Sequence, residues 1–262
     1  MEEMDILASE FEKIFKDIKY RFLSNQYFPK LIVGTGLSIV MGVPGMLELS
    51  QELKKYFESN DDEYLTKKWD EYKVKINEEG LEAALANISD NDERFVEEIK
   101  QVTSKFILDK EVEIHDKILN EYSSFEKLLA YLRDTVAVNK NIIDIMTPNY
   151  DRIIEIICCK IGVVSTLGFI GDLYGRFREN VLHNPRSLYD GETCVVRIFK
   201  PHGSINWIKT NNNSVIQVND YKYLNKMNSN IEIIPPGGMK YKSGLIGNLF
   251  RIHRENFNAL IE

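Results

Sequence analysis

Asn149, Asp151 and His202 are residue types that hold polar substrate groups and move protons, and each stands just past the end of an apolar run. Asn149 and Asp151 lie in Thr147-Pro148-Asn149-Tyr150-Asp151, which follows "NIIDIM". An amide and a carboxylate at alternate positions can reach one ligand. Asn149 would orient a water or hydroxyl, and Asp151 would accept from an amide or stabilise developing positive charge. The competing reading is local, because Thr, Asn and Asp are favoured helix N-caps. His202 follows "VVRIFKP" and precedes Gly203 and Ser204, small residues that suit a close turn at a crevice. Imidazole takes up a proton near neutral pH, as a general base must. A solitary structural histidine is the competing reading there.

A third break follows "PKLIV" at Gly34-Thr35-Gly36-Leu37-Ser38. Glycines after a strand let the backbone approach a pyrophosphate, while amides and Ser38 donate to phosphate oxygens. The dinucleotide signature requires a third glycine where Ile39 stands, and only Glu52 lies near the distance of its ribose-binding acid. Gly42, Pro44 and Gly45 extend this loop as a turned, rigid segment, able to cover a nucleotide or simply to connect elements. His115, His183 and His253 lack such surroundings and read as surface or packing residues. Trp207 and Ile208 read as a wall or core contact behind the His202 turn.

The elements that must position these groups are strands alternating with helices. "PKLIVG", "NIIDIMTPN", "VVST", "ETCVVRIFKPHG" and "IEIIPP" read as strands, and "DRIIEIICCKIG" as a helix with Gly162 at its C-terminal cap. The pattern predicts an α/β fold: a Rossmann-like parallel sheet with helices on both faces. In such sheets ligands bind beyond the carboxyl ends of the strands, where all three breaks fall. Residues 47–140 have helical spacing and many charges, with "SNDDE" and "SDNDER" as caps or turns. They read as a helical insertion between residues 1–46 and 141–262, a lid or partner surface. Met4, Leu7, Phe11, Ile14, Ile18 and Phe22 form one apolar helix face, expected to dock on the chain's own core or on a subunit.

The totals exclude several classes. The 262 residues carry a formal charge of -7, which disfavours nonspecific attraction to nucleic acid or anionic lipid. No run is long enough to span a bilayer, and "MEEMDILASEF" is not a signal peptide. Cys158, Cys159 and Cys194 make neither a disulfide framework nor a zinc pattern. They read as reduced and mostly buried, in a cytoplasmic protein.

In order, these motifs resemble the sirtuin-type NAD-binding fold. Gly34-Thr35-Gly36-Leu37-Ser38 is similar to the family's GAGxS phosphate loop, Gly42-Val43-Pro44 to its GIP segment, Thr147 to Asp151 to TQNID, and His202-Gly203 to the catalytic HG pair. The two CxxC pairs that hold zinc in sirtuin deacylases are absent, as is the arginine after GIP, where Gly45 and Met46 stand. "TPNYDRIIE" and "KPHGSINW" more closely resemble the SIR2-like NADases of bacterial antiphage defence. That resemblance implies hydrolysis of NAD+ to nicotinamide and ADP-ribose without a metal. It implies Asn149, His202 and Asp151 as catalytic residues. Gly34, Thr35, Gly36, Ser38, Pro44, Thr147, Gly203 and Ser204 would join Asn149 and Asp151 in binding NAD. It further implies a homo-oligomer or a second defence-system protein, such as an ATPase or sensor. The family's GYS-like segment is not found before the closing "FNALIE", so a further C-terminal part is expected. A NAD-dependent protein deacylase and a non-catalytic NAD or ADP-ribose sensing module are the alternatives.

Overall fold

A computed structural model describes residues 9–22, 29–86, 88–89, 92–135, 141–237 and 248–262. Helix α1 (Ser9–Phe22) precedes strand β1 (Leu31–Ile32) and helix α2 (Thr35–Met41). Helices α3 (Met46–Glu58), α4 (Glu63–Glu79), α5 (Leu81–Leu85), α6 (Glu93–Asn120) and α7 (Ser124–Thr135) follow. The chain then returns to strand β2 (Ile142–Met146), helix α8 (Ile153–Lys160) and strands β3 (Val164–Thr166), β4 (Phe169–Ile170) and β5 (Tyr174–Phe177). Helix α9 (Glu179–His183), strands β6 (Val195–Phe199), β7 (Gly203–Lys209) and β8 (Val215–Val218), helix α10 (Tyr221–Lys226), strand β9 (Ile231–Ile233) and helix α11 (Asn248–Asn258) complete the order.

Four strands form a parallel sheet in the order β1-β2-β6-β3. Its register places Ile32 beside Met146 and Met146 beside Phe199. The ladder runs one step further, through Val33 N–H to the Met146 carbonyl and Thr147 N–H to the Phe199 carbonyl, both at 2.9 Å. Three strands therefore end level with one another. With neighbouring strands about 4.8 Å apart, their following loops emerge side by side.

Side-chain alternation assigns the two faces of this sheet. Ile143, Ile145, Val196 and Ile198 point into the main core with α6, α7 and α8, through Leu108, Ile118, Leu129, Ile153 and Ile157. On the opposite face, Met146 and Phe199 pack with Leu182, Ile252 and Phe257 of α9 and α11. That face also buries Asp144 against Arg197, its register partner, with Nε to Oδ1 at 2.6 Å. Arg197 Nη1 donates to the Leu182 and His183 carbonyls at the end of α9. Cations favour that end of a helix, and these bonds offset the cost of burying the charge. Helix α8 ends as its sequence predicts. Gly162 (φ 68°) sends its N–H to Cys159, and Val163 N–H bonds Cys158, both to carbonyls, in a Schellman arrangement.

Several expectations are corrected. "IEIIPP" does not join the parallel sheet: β9 ends a second, antiparallel sheet of order β4-β5-β8-β7-β9. Helices α3 to α7 serve two cores. Leu53, Phe57, Trp69, Leu85, Phe95 and Ile99 form a satellite core of their own, with Phe57 stacked on Trp69 at 5.1 Å. The second half of α6 and helix α7 instead cover the parallel sheet. Helix α1 does not dock on the core: Ile14, Phe15 and Ile18 are each more than 40% exposed. Met4 and Leu7 of its expected apolar face lie outside the described residues. Of the cysteines, Cys158 is buried, Cys194 half-buried and Cys159 exposed. No helix among the described residues is long and apolar enough to cross a membrane.

Candidate active site

The three level strand ends build one cavity of about 310 Å³. Helix α2, which follows β1, contributes Thr35 and Ser38, the loop after α2 contributes Pro44, the loop after β2 contributes Asn149 and Asp151, and the turn after β6 contributes His202. Six of the eleven residues expected at the site thus converge. The far wall was not anticipated in detail. Met46 and Leu49 of α3, Glu82 of α5 and Ile107 of α6 come from the helical segment, so that segment closes the site.

Local sequence explains each placement. Lys200-Pro201-His202-Gly203 is a β-turn closed by Gly203 N–H to the Lys200 carbonyl at 3.1 Å. Proline suits its second position and glycine its fourth, leaving His202 in the third. The chain passes through this turn from the parallel to the antiparallel sheet. Gly203 has φ 87°, and a Cβ there would stand 2.4 Å from the Glu232 carbonyl oxygen. Ile234 N–H anchors the turn at the His202 carbonyl, at 2.9 Å. Thr147 folds the preceding loop, its Oγ1 accepting from Asn149 N–H at 3.1 Å.

The side chains are held by one another. Ser38 Oγ donates to Asp151 Oδ2 at 2.6 Å and accepts from Asn149 Nδ2 at 2.8 Å. Asn149 Nδ2 also donates to the Gly34 carbonyl at 3.0 Å. Both amide hydrogens are therefore committed, which leaves the amide oxygen Oδ1 as the free end of a fixed group. Asp151 Oδ1 accepts from Ile153 N–H at 3.2 Å, so the carboxylate also turns the chain into α8. The carboxylate therefore lines the cavity and at the same time holds the entry to α8.

Burial pushes the Asp151 carboxyl up from its ordinary value, and the Lys200 charge and the Ser38 hydroxyl oppose that rise. Burial pushes His202 down, against a hydrogen bond with the Pro148 backbone. Proline offers only its carbonyl, so one ring nitrogen of His202 donates there. The depressed value keeps the other unprotonated near neutral pH, the state a proton acceptor needs.

Gly34 and Gly36 do not line the cavity, but a Cβ on either would stand in open space. Neither has a positive φ. Packing and backbone conformation thus give no steric reason for glycine at either place. Thr147, Gly203 and Ser204 lie behind the cavity wall rather than on it. Ser204 is fully buried, its Oγ donating to the Tyr150 carbonyl at 3.2 Å.

Two buried charges beside the site escaped the sequence reading. Lys200 is 0% exposed, and its Nζ pairs with Glu155 at 2.7 Å. Glu111 of α6, also 0% exposed, pairs with Arg152 Nε at 2.7 Å and accepts from Arg152 N–H and the Tyr221 hydroxyl. A signal for Glu111 existed: it continues the buried stripe of Ser104, Ile107 and Leu108 at helical spacing. Among the described residues, no three His, Cys, Asp or Glu side chains cluster as metal ligands. No protein-family model matches the chain, and no curated protein matches it.

Proposed function

We propose that this protein is a NAD+ glycohydrolase of the sirtuin-type NAD-binding fold, splitting NAD+ with water into nicotinamide, ADP-ribose and a proton. The observation that supports this most strongly is the convergence of Ser38, Asn149, Asp151 and His202 on one cavity at the carboxyl end of a parallel sheet. The reaction breaks the bond between the ribose carbon and the pyridinium nitrogen. The bonding electrons leave with nicotinamide, which departs neutral, while positive charge spreads over the ribose ring.

Each side chain has a matching task. The buried carboxylate of Asp151 binds the nicotinamide amide and faces the charge that develops on the sugar. The amide oxygen of Asn149 accepts from the attacking water or a ribose hydroxyl. The unprotonated nitrogen of His202 takes the proton that water loses as its oxygen bonds to the ribose carbon. The turn from Gly34 to Ser38 lies against the pyrophosphate, where missing Cβ atoms permit close approach. Alignment of water and ribose in one cavity supplies a further part of the acceleration.

The test is chromatography of nucleotides after incubating the protein with NAD+ alone. Nicotinamide and ADP-ribose are expected without any acylated peptide. Asn149→Ala and His202→Ala are each expected to lower the rate by about 100-fold or more, with unchanged thermal unfolding. Tight NAD+ binding without nicotinamide release, or full activity in both variants, would overturn the proposal.

A further inference from the structure

The two catalytic segments come from distant parts of the sequence, so their spacing needs a physical tie. Lys200 supplies one. A lysine is almost never fully buried unless its charge is matched, because removing an ammonium from water is costly. Lys200 is fully buried, and its ammonium has two hydrogen-bond acceptors and one ion-pair partner on different elements. Nζ donates to the Asp151 carbonyl in the turn before α8, donates to Ser204 Oγ on β7 at 3.1 Å, and pairs with Glu155 Oε1 on α8 at 2.7 Å.

The chain positions make this more than a core ion pair. Lys200 stands two residues before His202, and the carbonyl it holds belongs to Asp151, two residues after Asn149. Two parallel ties reinforce the link: Ser204 Oγ and Ile205 N–H both bond the Tyr150 carbonyl, at 3.2 and 3.0 Å. From behind, Lys200 N–H donates to His253 Nδ1 of α11 at 3.2 Å. The Lys200 backbone is thus fixed from the rear while its ammonium reaches forward. We propose that Lys200 is a positioning residue that clamps the Asn149–Asp151 turn to the His202 turn and so sets the spacing of amide, carboxylate and imidazole. Its effect on rate rests on the NAD+ glycohydrolase reading; the clamp itself does not.

The clamp also has an electrostatic consequence. The Asp151 carboxylate meets the Ser38 hydroxyl from α2, the Lys200 charge from the β6–β7 turn and the negative Glu111 from α6, which Arg152 pairs. His202 shares its cavity, and His253 lies behind Lys200. Removing the ammonium takes away an attraction that favours ionised Asp151, so its protonation moves to higher pH.

Lys200→Met alone would leave Glu155 buried and unpaired, so the informative comparison is Glu155→Gln against the double variant Lys200→Met/Glu155→Gln. The double variant is expected to melt close to Glu155→Gln. Its kcat should be lower by about 100-fold, the scale of an ångström-sized misplacement. The acid limb of its pH profile should move upward, and amide hydrogen exchange over residues 149–153 should speed up while β2 stays protected. Ser204→Ala, which removes one partner and adds no buried charge, should shift the same readouts less. Unchanged kcat, acid limb and exchange relative to Glu155→Gln would overturn the proposal. If the wild-type protein releases no nicotinamide, the functional reading fails, and the exchange comparison still decides whether the clamp exists.

Discussion

Replacing Ser38 with alanine removes the hydroxyl that joins the amide and the carboxylate of the site. In the folded protein that hydroxyl donates to Asp151 Oδ2 at 2.6 Å, short enough for a bond to a charged acceptor, and Ser38 is 2% exposed. A hydrogen bond to a charged group contributes about 1.5–3 kcal/mol. At about 1.36 kcal/mol per pH unit, its loss moves the protonation of Asp151 upward by about 1 to 2 pH units. Asn149 keeps its bond to the Gly34 carbonyl. The plateau rate then loses about one neutral hydrogen bond, ~1 kcal/mol, which is less than tenfold. On the proposed NAD+ hydrolysis, Ser38→Ala should thus be mildly slow at high pH and strongly impaired on the acid side.

The assay is nicotinamide release as kcat/KM against pH, wild type beside Ser38→Ala. Urea unfolding at several pH values gives an independent check. Burial has already raised the Asp151 carboxyl, so its protonated form is favoured by folding. That contribution is complete below the unfolded carboxyl value and is lost as pH rises through the folded one. The variant raises the folded value further, so its deficit relative to wild type should be larger at neutral pH than at strongly acid pH. There Asp151 is protonated in both proteins and the charge-assisted bond is no longer at stake. An acid limb that does not move, together with a stability deficit independent of pH, would refute the assigned coupling of Ser38 to Asp151.

Two other perturbations test the frame around the site. Gly203→Ala should cost about 3 kcal/mol or more in urea unfolding, since φ is 87° and the new Cβ would stand 2.4 Å from the Glu232 carbonyl oxygen and 2.9 Å from Ile233 Cα. A loss below ~1 kcal/mol would contradict the β7–β9 pairing at that point. His253, fully buried among Phe177, Phe199 and Trp207, has its pKa pushed down to about 3 by burial and then by the Lys200 charge. The unfolded imidazole takes a proton below about pH 6.5 and the folded one does not. Stability should therefore fall by roughly 1.4 kcal/mol per pH unit as pH drops from 6.5 toward 3. His253→Phe should flatten that slope, while losing about 1–3 kcal/mol at pH 7 from the orphaned Lys200 N–H; an equal slope in both proteins would count against a neutral buried His253.

The parts of the site that were legible in sequence are those governed by chain-local rules. A β-branched run that stops at Gly34, at Thr147-Pro148 or at Lys200-Pro201 announces a strand end, because glycine and proline cannot continue the ladder at the same cost. Once three such strands are parallel, their ends must lie together, and Ile32, Met146 and Phe199 do stand level. What was not legible depends on partners far away in sequence. Nothing within "IEI" says whether it pairs with β6 or with β7. The charged texture of α6 reads as a solvated helix, yet Glu111 is buried because Arg152 and Tyr221 arrive from other elements to satisfy it. Lys200 is the sharpest case. A lysine at a strand end is ordinarily a solvent-facing terminus, and only Glu155, Ser204 and the Asp151 carbonyl together make its interior position tolerable. Gly203 and Ser204 show the converse. They stand beside His202 in the expected binding set, yet they do not line the cavity, and the Ser204 hydroxyl is bonded to Lys200 and the Tyr150 carbonyl. Strand ends thus bring Ser38, Asn149, Asp151 and His202 to the cavity by rules the sequence displays, whereas the buried charges Lys200 and Glu111 beside them take their meaning from partners that meet only in three dimensions.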